Sequence, residues 1–489
     1  MSTIGNSPPD VLIVGGGSAG NVLAARLSED PRRSVLLLEG GPVFPPDRYP
    51  SVLARSDQVG GEPAFDWGSR SEPGVVGHPI DLLRGRVLGG SSAINAAVAM
   101  RPPAQDFRRW NLPGWSREDL LPDFARAEET LAVRQFTSDE MTPMQRAFTD
   151  AAVGLGFKPR EDFAGPGQAG VGALPMNIAG GIRMNTGIAY LRSDVRARPN
   201  LSIRSDVVVD KVLFEGTRAT GVALADGTVL PAGEVVLSAG TYGSAAILLR
   251  SGVGPPGDLE RLGVPTVADL PVGSRLTDHP NLNAAFAARP ERLGAQTPMI
   301  AVLLVLSSSL AAPGETDMHI APTHFPVEGS PTGANIVIGF GLVRPTSRGR
   351  LWLDSTDPLA SPRIDLNLLG TREDQARMVE GLRLARALSQ TDPLRDLVAS
   401  EMLPGPQAET DEQMLQAVLA VTGTYYHPTS TAPMGPDGDP GAVVDLQCAV
   451  RGTDGLRVVD ASVLPDVTSA ATNLTVLAFA EHIARTYAA

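Results

Sequence analysis

The chain has a single cysteine, Cys448, among 489 residues, so no internal disulfide can form and no cysteine cluster can hold a metal. Cys448 itself reads as a plain core or surface thiol. Basic residues are outnumbered, 41 against 54 acidic, and the net charge of −13 argues against the basic patches that nucleic acid or an anionic membrane surface demands. No run of 18 or more apolar residues is present, which excludes a membrane-spanning helix. Residues 299–311 come nearest, but they are short and serine-rich and read as a buried strand or core segment. Met1–Pro9 lack the basic start and apolar stretch of a signal peptide, so the expected location is cytoplasmic. Aromatic residues are scarce at 5%, which weakens the case for an aromatic cage around a quaternary ammonium group.

What is present is ordinary globular composition, 43% hydrophobic and 19% charged, in a chain long enough for two or three core-sized units. Residues 10–39 carry the clearest signal. An apolar strand leads into Gly15-x-Gly17-x-x-Gly20, then a helix, then a second apolar strand ending at Glu39. Gly15 permits the tight turn, and Gly17 lets backbone N–H groups approach a pyrophosphate at the helix N-terminus. Gly20 lets the helix pack close to the sheet, and Glu39 stands where a carboxylate can bind a ribose hydroxyl. Strand, turn, helix, strand and acid fall in the order that binds an adenine dinucleotide.

Residues 40–110 are rich in Gly, Pro and Arg and read as an excursion over a ligand, whereas 117–156 read as helical. From Leu201 to Gly240 short strands follow one another, with Asp226-Gly227 marking a hairpin, and a helix opens at 244–250. The middle, about 285–365, alternates breaks with apolar strands such as Ile336–Val343. Helices follow at about 371–390 and 410–421, and the end reads as a strand from Leu456, a loop, and a helix from Leu474 to Ala488. The run Arg84-Gly-Arg-Val-Leu-Gly-Gly-Ser-Ser-Ala-Ile-Asn95 exposes backbone N–H groups and hydroxyls suited to phosphate or a ring carbonyl. It is not a serine-nucleophile elbow, because Ala93 stands where G-x-S-x-G requires glycine.

Together these segments resemble the glucose–methanol–choline (GMC) oxidoreductases, FAD enzymes that oxidise alcohols. The first glycine turn and Gly85–Asn95 look like the family's first signature, and Gly240–Gly254 like its second, with Ala245 where Pro or Ser is usual. Leu342–Leu351 resembles a substrate-domain strand. Tyr426-His427-Pro428, Met434-Gly435 and Asp460–Pro465 resemble the C-terminal block. The fold implied is α/β: a doubly wound, Rossmann-like FAD-binding domain (1–150, 196–285 and 436–489) with an inserted antiparallel-sheet α+β substrate domain (151–195 and 286–435).

The resemblance assigns Gly15, Gly17, Gly20 and Glu39 to the ADP half of FAD, and Gly90, Ser91 and Asn95 to the pyrophosphate and flavin. Val209 would offer its backbone to the adenine, and Asp460 and Asn473 would lie against the pyrophosphate and the flavin pyrimidine. Ile94 occupies the place where some relatives carry a FAD-linking histidine, which implies non-covalent FAD. His427 is the expected catalytic residue, an imidazole that accepts the alcohol proton as hydride leaves carbon for flavin N5. Tyr426 and Ala471 are expected in the substrate pocket, and His279, in Thr277-Asp278-His279-Pro280, is expected to be structural. Ala471 departs from the family, which usually has His or Asn there to share the substrate oxygen. An alanine cannot hydrogen-bond an alkoxide, and one missing donor of that kind costs about 10²–10³ in rate. His427 acting alone, a pocket widened for a bulky alcohol, and a changed chemistry all fit that departure. The expectation is alcohol oxidation to an aldehyde or ketone, with O₂ or another acceptor receiving the electrons. The alternatives are a hydroxynitrile lyase-like or fatty-acid decarboxylase-like FAD enzyme, or a flavin-binding protein acting through interactions.

Overall fold

The computed structural model describes residues 7–163, 169–294 and 296–487. The first six residues of the Met1–Pro9 start and residue 488 of the expected C-terminal helix lie outside the described residues. Apolar runs without polar alternation make strands buried on both faces, as in a parallel sheet covered on each side. The five-stranded parallel sheet runs, in spatial order, Leu201–Arg204, Val35–Leu38, Val11–Val14, Glu234–Leu237 and Leu456–Val458. Every residue of Val11–Val14 and Val35–Leu38 is buried.

The helix Ser18–Leu27 returns from the first strand and packs against the C-terminal helix Thr472–Thr486, to which the Arg26–Glu481 ion pair ties it at 2.8 Å. Trp115 packs at a tilt against Phe479 of that C-terminal helix with ring centroids 4.4 Å apart. A small antiparallel sheet, Val209–Glu215, Arg218–Leu224 and Val229–Pro231, contains the expected Asp226-Gly227 turn, with Gly227 at φ +85°. The helical region expected over 117–156 is two helices, Arg117–Thr130 and Pro143–Gly154. The second starts afresh because Thr142 and Gln145 form a capping box and Pro143 fits a first turn, a start signal that the apolar spacing alone did not reveal.

The second large sheet is antiparallel throughout. It runs Val398–Leu403, Pro280–Ala288, Ala334–Leu342, Met318–Pro326, Val302–Leu306 and Gly170–Ala173, with Gly423–Thr424 paired to the start of Pro280–Ala288. The strand Pro280–Ala288 runs through position 285, where a domain boundary was expected. Among the described residues no helix is long and apolar enough to cross a membrane.

Candidate active site

The glycine turn sits where the neighbouring strands Val11–Val14 and Glu234–Leu237 end. Gly15 has φ +103°, and a Cβ there would lie 2.4 Å from the Ser238 carbonyl oxygen, so only glycine fits. A Cβ on Gly20 would meet the Gly15 carbonyl at 1.9 Å, which explains how the helix comes so near the turn. Gly17 is the N-cap of that helix and gives it no side-chain cap, leaving its first N–H groups for a ligand. Gly90, at φ +52°, lies directly over it: a Cβ on Gly90 would stand 2.7 Å from the Gly17 Cα.

Glu39 is buried, and burial raises its pKa while backbone donors oppose the shift. Its carboxylate accepts hydrogen bonds from Gly16 N–H at 2.9 Å and Gly41 N–H at 2.8 Å. The chain at Val207 donates to the Glu39 carbonyl at 2.9 Å, which brings nearby Val209 to the same end of the site. Ser91 Oγ accepts from Gly85 N–H at 3.2 Å, and Asn95 Oδ1 accepts from Ala97 N–H at 2.9 Å. Asn473 Oδ1 accepts from Ser18 Oγ at 2.7 Å, whereas its buried Nδ2 has no partner among the described residues. A buried amide left with an unused donor is unusual and fits a ligand acceptor. Asp460 is a clamp: its carboxylate accepts from Gly240 N–H at 2.9 Å, Ser244 Oγ at 2.5 Å, Ser462 N–H at 2.8 Å and Ser462 Oγ at 2.5 Å. These bare backbones, the uncapped helix and the unused Asn473 donor form a cradle that fits a pyrophosphate-linked dinucleotide.

His427 reaches the site through strand pairing. Gly423–Thr424 pairs with Pro280–Asn281, Tyr425 N–H donates to the His279 carbonyl at 3.0 Å, and Thr277 and Thr429 bridge beyond the histidines. The His279 and His427 rings are thereby perpendicular, with their Nδ1 atoms 3.0 Å apart. Buried Asp278 fixes both segments, its Oδ1 accepting from the backbone N–H of His279 and of His427 at 2.8 Å each. Burial pushes the Asp278 carboxyl up to about 6, against the pull of Thr424 and Arg84. Thr241 Oγ1 donates to the Pro428 carbonyl at 2.7 Å, tying the loop to the helix Gly240–Arg250.

Tyr426 turns the chain at φ +63° and is 38% exposed, its ring facing the Arg84 guanidinium. The ring stacked on His427 is that of Tyr425, at 5.8 Å. Arg84 Nη2 donates to the Tyr426 carbonyl at 2.8 Å. Burial, then Arg84 and His319, depress the His427 imidazole to about 3, so at neutral pH it is uncharged and one ring nitrogen carries a lone pair. Burial, then His427 and His319, hold His279 well below its usual value too. Ala471 is the N-cap of the C-terminal helix and supplies no side-chain cap. The sequence reading missed His279 as a partner of His427, and also the roles of Asp278, Arg84 and Tyr425. The Asp278-His279 pair was the visible signal, but what it faces depends on pairing across 148 residues.

Profiles described as GMC oxidoreductase match residues 9–281 and 345–480. The chain is 32% identical to the oxygen-dependent choline dehydrogenase of Photobacterium profundum, over 98% of this chain and 93% of that one. It is 34% identical to the mitochondrial choline dehydrogenase of Mus musculus, over 99% and 90%. Among solved structures, pyridoxine 4-oxidase from Mesorbium loti superposes with a TM-score of 0.87 at 31% identity, covering 98% of this chain and 99% of that one. A formate oxidase of Aspergillus oryzae RIB40, at 24% identity, TM-score 0.87 and coverage of 99% and 98%, shares the fold.

Proposed function

This chain belongs to the GMC oxidoreductase family and is an FAD-dependent oxidoreductase. From that premise we propose that it oxidises a CH–OH group to an aldehyde or ketone, with His427 as the base that takes the hydroxyl proton. Bound FAD supplies the hydride acceptor. Gly15, Gly17, Gly20, Gly90 and Glu39 would hold its ADP half, with Val209 at the adenine and Asp460 clamping the adjoining turns. Asn473 Nδ2, Ser91 and Asn95 would face the flavin end.

The observation that carries the reading is the 3.0 Å contact between His427 Nδ1 and His279 Nδ1. Only one of two neutral imidazoles can place a hydrogen between those atoms. The carbonyls of Thr468 and Val343 lie near enough to the His279 ring to favour its protonated nitrogen, although none reaches hydrogen-bond geometry at buried Nε2. His279 therefore holds its hydrogen at Nε2 and accepts at Nδ1. His427 then donates from Nδ1 and keeps a lone pair on Nε2, the form a general base requires. When the substrate hydroxyl gives its proton to Nε2, the Nδ1–H bond to His279 strengthens because the donor becomes charged. Asp278, fixed to both backbones, sets the distance between the rings.

The test is anaerobic. The FAD-loaded protein is mixed with choline, pyridoxine and a series of aliphatic and aromatic primary alcohols while the visible flavin band is followed. Bleaching by one class is expected, and His427→Ala should slow it by about 10²–10⁴-fold. Near-normal bleaching in His427→Ala would remove the residue from the mechanism. A flavin that dithionite reduces but no alcohol bleaches would favour the lyase or photochemical chemistry that Ala471 leaves open. Reoxidation under air, against an added acceptor, distinguishes oxidase from dehydrogenase.

A further inference from the structure

Alanine at 471 removes a donor to the substrate oxygen, and the large antiparallel sheet carries a replacement. Strand register aligns Asn281, Gly341, His319 and Val305 across four adjacent strands, so their side chains share one face. His279 stands two residues before Asn281, just ahead of the strand Pro280–Ala288. Gly341 has no side chain to cover it; a Cβ there would lie 2.1 Å from the Tyr425 ring, which itself stacks on His427. The row that holds His319 thus runs under the His427 loop.

The same face meets the segment carrying Ala471. Val305, the register partner of His319, belongs to an apolar cluster with Leu303, Met100, Met176 and Ala470, the residue before Ala471. His319 is only 8% exposed, and no hydrogen bond among the described residues involves its ring. An imidazole with no protein partner keeps its ring hydrogen for a ligand. Burial and the Arg160 cation depress it to about 3, so it is a neutral N–H donor and not a second cation beside His427. Its influence on both His279 and His427 places it within electrostatic reach of the pair.

We propose that His319 donates a ring hydrogen bond to the substrate oxygen that His427 deprotonates, taking the part that Ala471 cannot play. The inference rests on the alcohol-oxidation reading above. The hydroxyl proton goes to His427 Nε2, and His319 keeps its own proton while stabilising the negative charge that gathers on oxygen.

The experiment measures saturating flavin reduction and apparent substrate Kd by anaerobic stopped flow, on FAD-loaded wild type, His319→Ala, His319→Gln and each with Ala471→Asn. With the alcohol found to bleach wild type, His319→Ala should lower the saturating rate by about 10²-fold. His319→Gln, which keeps an N–H donor, should retain most of the rate. Ala471→Asn should restore rate to His319→Ala by about 10-fold or more, a larger factor than it gives in the wild-type background, where the donor is already present. Wild-type speed in His319→Ala, equal losses in His319→Gln and His319→Ala, or the same gain from Ala471→Asn in both backgrounds would overturn the assignment. If His319→Ala does not hold FAD, the comparison of wild type with His319→Gln decides: a large loss in His319→Gln overturns it, and a retained rate supports it. Wild type that no alcohol reduces overturns both readings, whereas reduced wild type with an indifferent His319 overturns this one alone.

Discussion

Replacing His279 by alanine takes away the one hydrogen-bond partner that His427 Nδ1 has among the described residues, across a 3.0 Å contact. The part-buried His427 Nδ1–H would be left without an acceptor, a loss of about 1–3 kcal/mol. That loss grows as the ring becomes charged, since an imidazolium N–H is the stronger donor, so it falls on the transition state more than on the resting site. At about 1.4 kcal/mol per tenfold, His279→Ala should slow saturating flavin reduction by about 10–100-fold. His279→Gln, whose amide oxygen can accept from Nδ1, should recover a good part of it. The assay is anaerobic stopped flow on FAD-replete protein, with thermal melting to confirm that His279→Ala remains folded. A structural role alone predicts that the effects of His279→Ala and His427→Ala multiply. The positioning role predicts that His279→Ala adds little once His427 is gone. Multiplying effects, or a His279→Ala enzyme as fast as wild type, would refute the tautomer argument.

Two further outcomes follow from the same geometry. Gly90→Ala forces a side chain onto a φ of +52° and to within 2.7 Å of the Gly17 Cα, so the two loops must part. FAD should bind about 10²-fold more weakly by fluorescence titration, and unchanged affinity would show that the cradle is not where the dinucleotide lies. Acid stability follows from the depressed histidines: His319 and His427 stay neutral down to about 3, whereas the unfolded chain protonates them near 6.5. Their contribution is whole above neutrality and is lost as pH falls from about 6.5 toward 3, each at up to about 1.4 kcal/mol per pH unit. Asp278, raised to about 6, works in the opposite sense, taking up a proton in the folded state between about 6 and 4. His319→Gln should therefore lose less melting temperature than wild type between pH 7 and about 4.5, and equal losses would contradict the depressed His319.

The candidate dinucleotide cradle was legible because its pattern is written in consecutive residues. Gly15, Gly17 and Gly20 act through their own backbones, and Glu39 ends the next strand, so spacing alone located them. Gly90 was legible as part of a nest, but its contact with Gly17 joins segments more than 70 residues apart and no local pattern encodes it. The same limit hid the histidine pair. Residues 279 and 427 meet because Gly423–Thr424 pairs with Pro280–Asn281, and register between distant strands is a property of the folded sheet. Tyr425 and Tyr426 show the limit at single-residue scale: neighbours in a dipeptide, they part because Tyr426 adopts φ +63°, which turns one ring onto His427 and the other outward.

Ala471 shows why a departure at one position is a weak guide to lost chemistry. Read along the chain, alanine there subtracts a donor and nothing nearby in sequence restores it. In the fold, Ala470 and Val305 belong to one apolar cluster, and Val305 is the register partner of His319. A hydrogen bond to the substrate oxygen depends on where a donor stands, not on which segment supplies it. The sheet strand Met318–Pro326 is a stiffer support for such a donor than the N-cap of a helix, because it has a paired strand on each side. The alanine is therefore compatible with full alcohol chemistry, and the rescue by Ala471→Asn in His319→Ala is the measurement on which that compatibility depends.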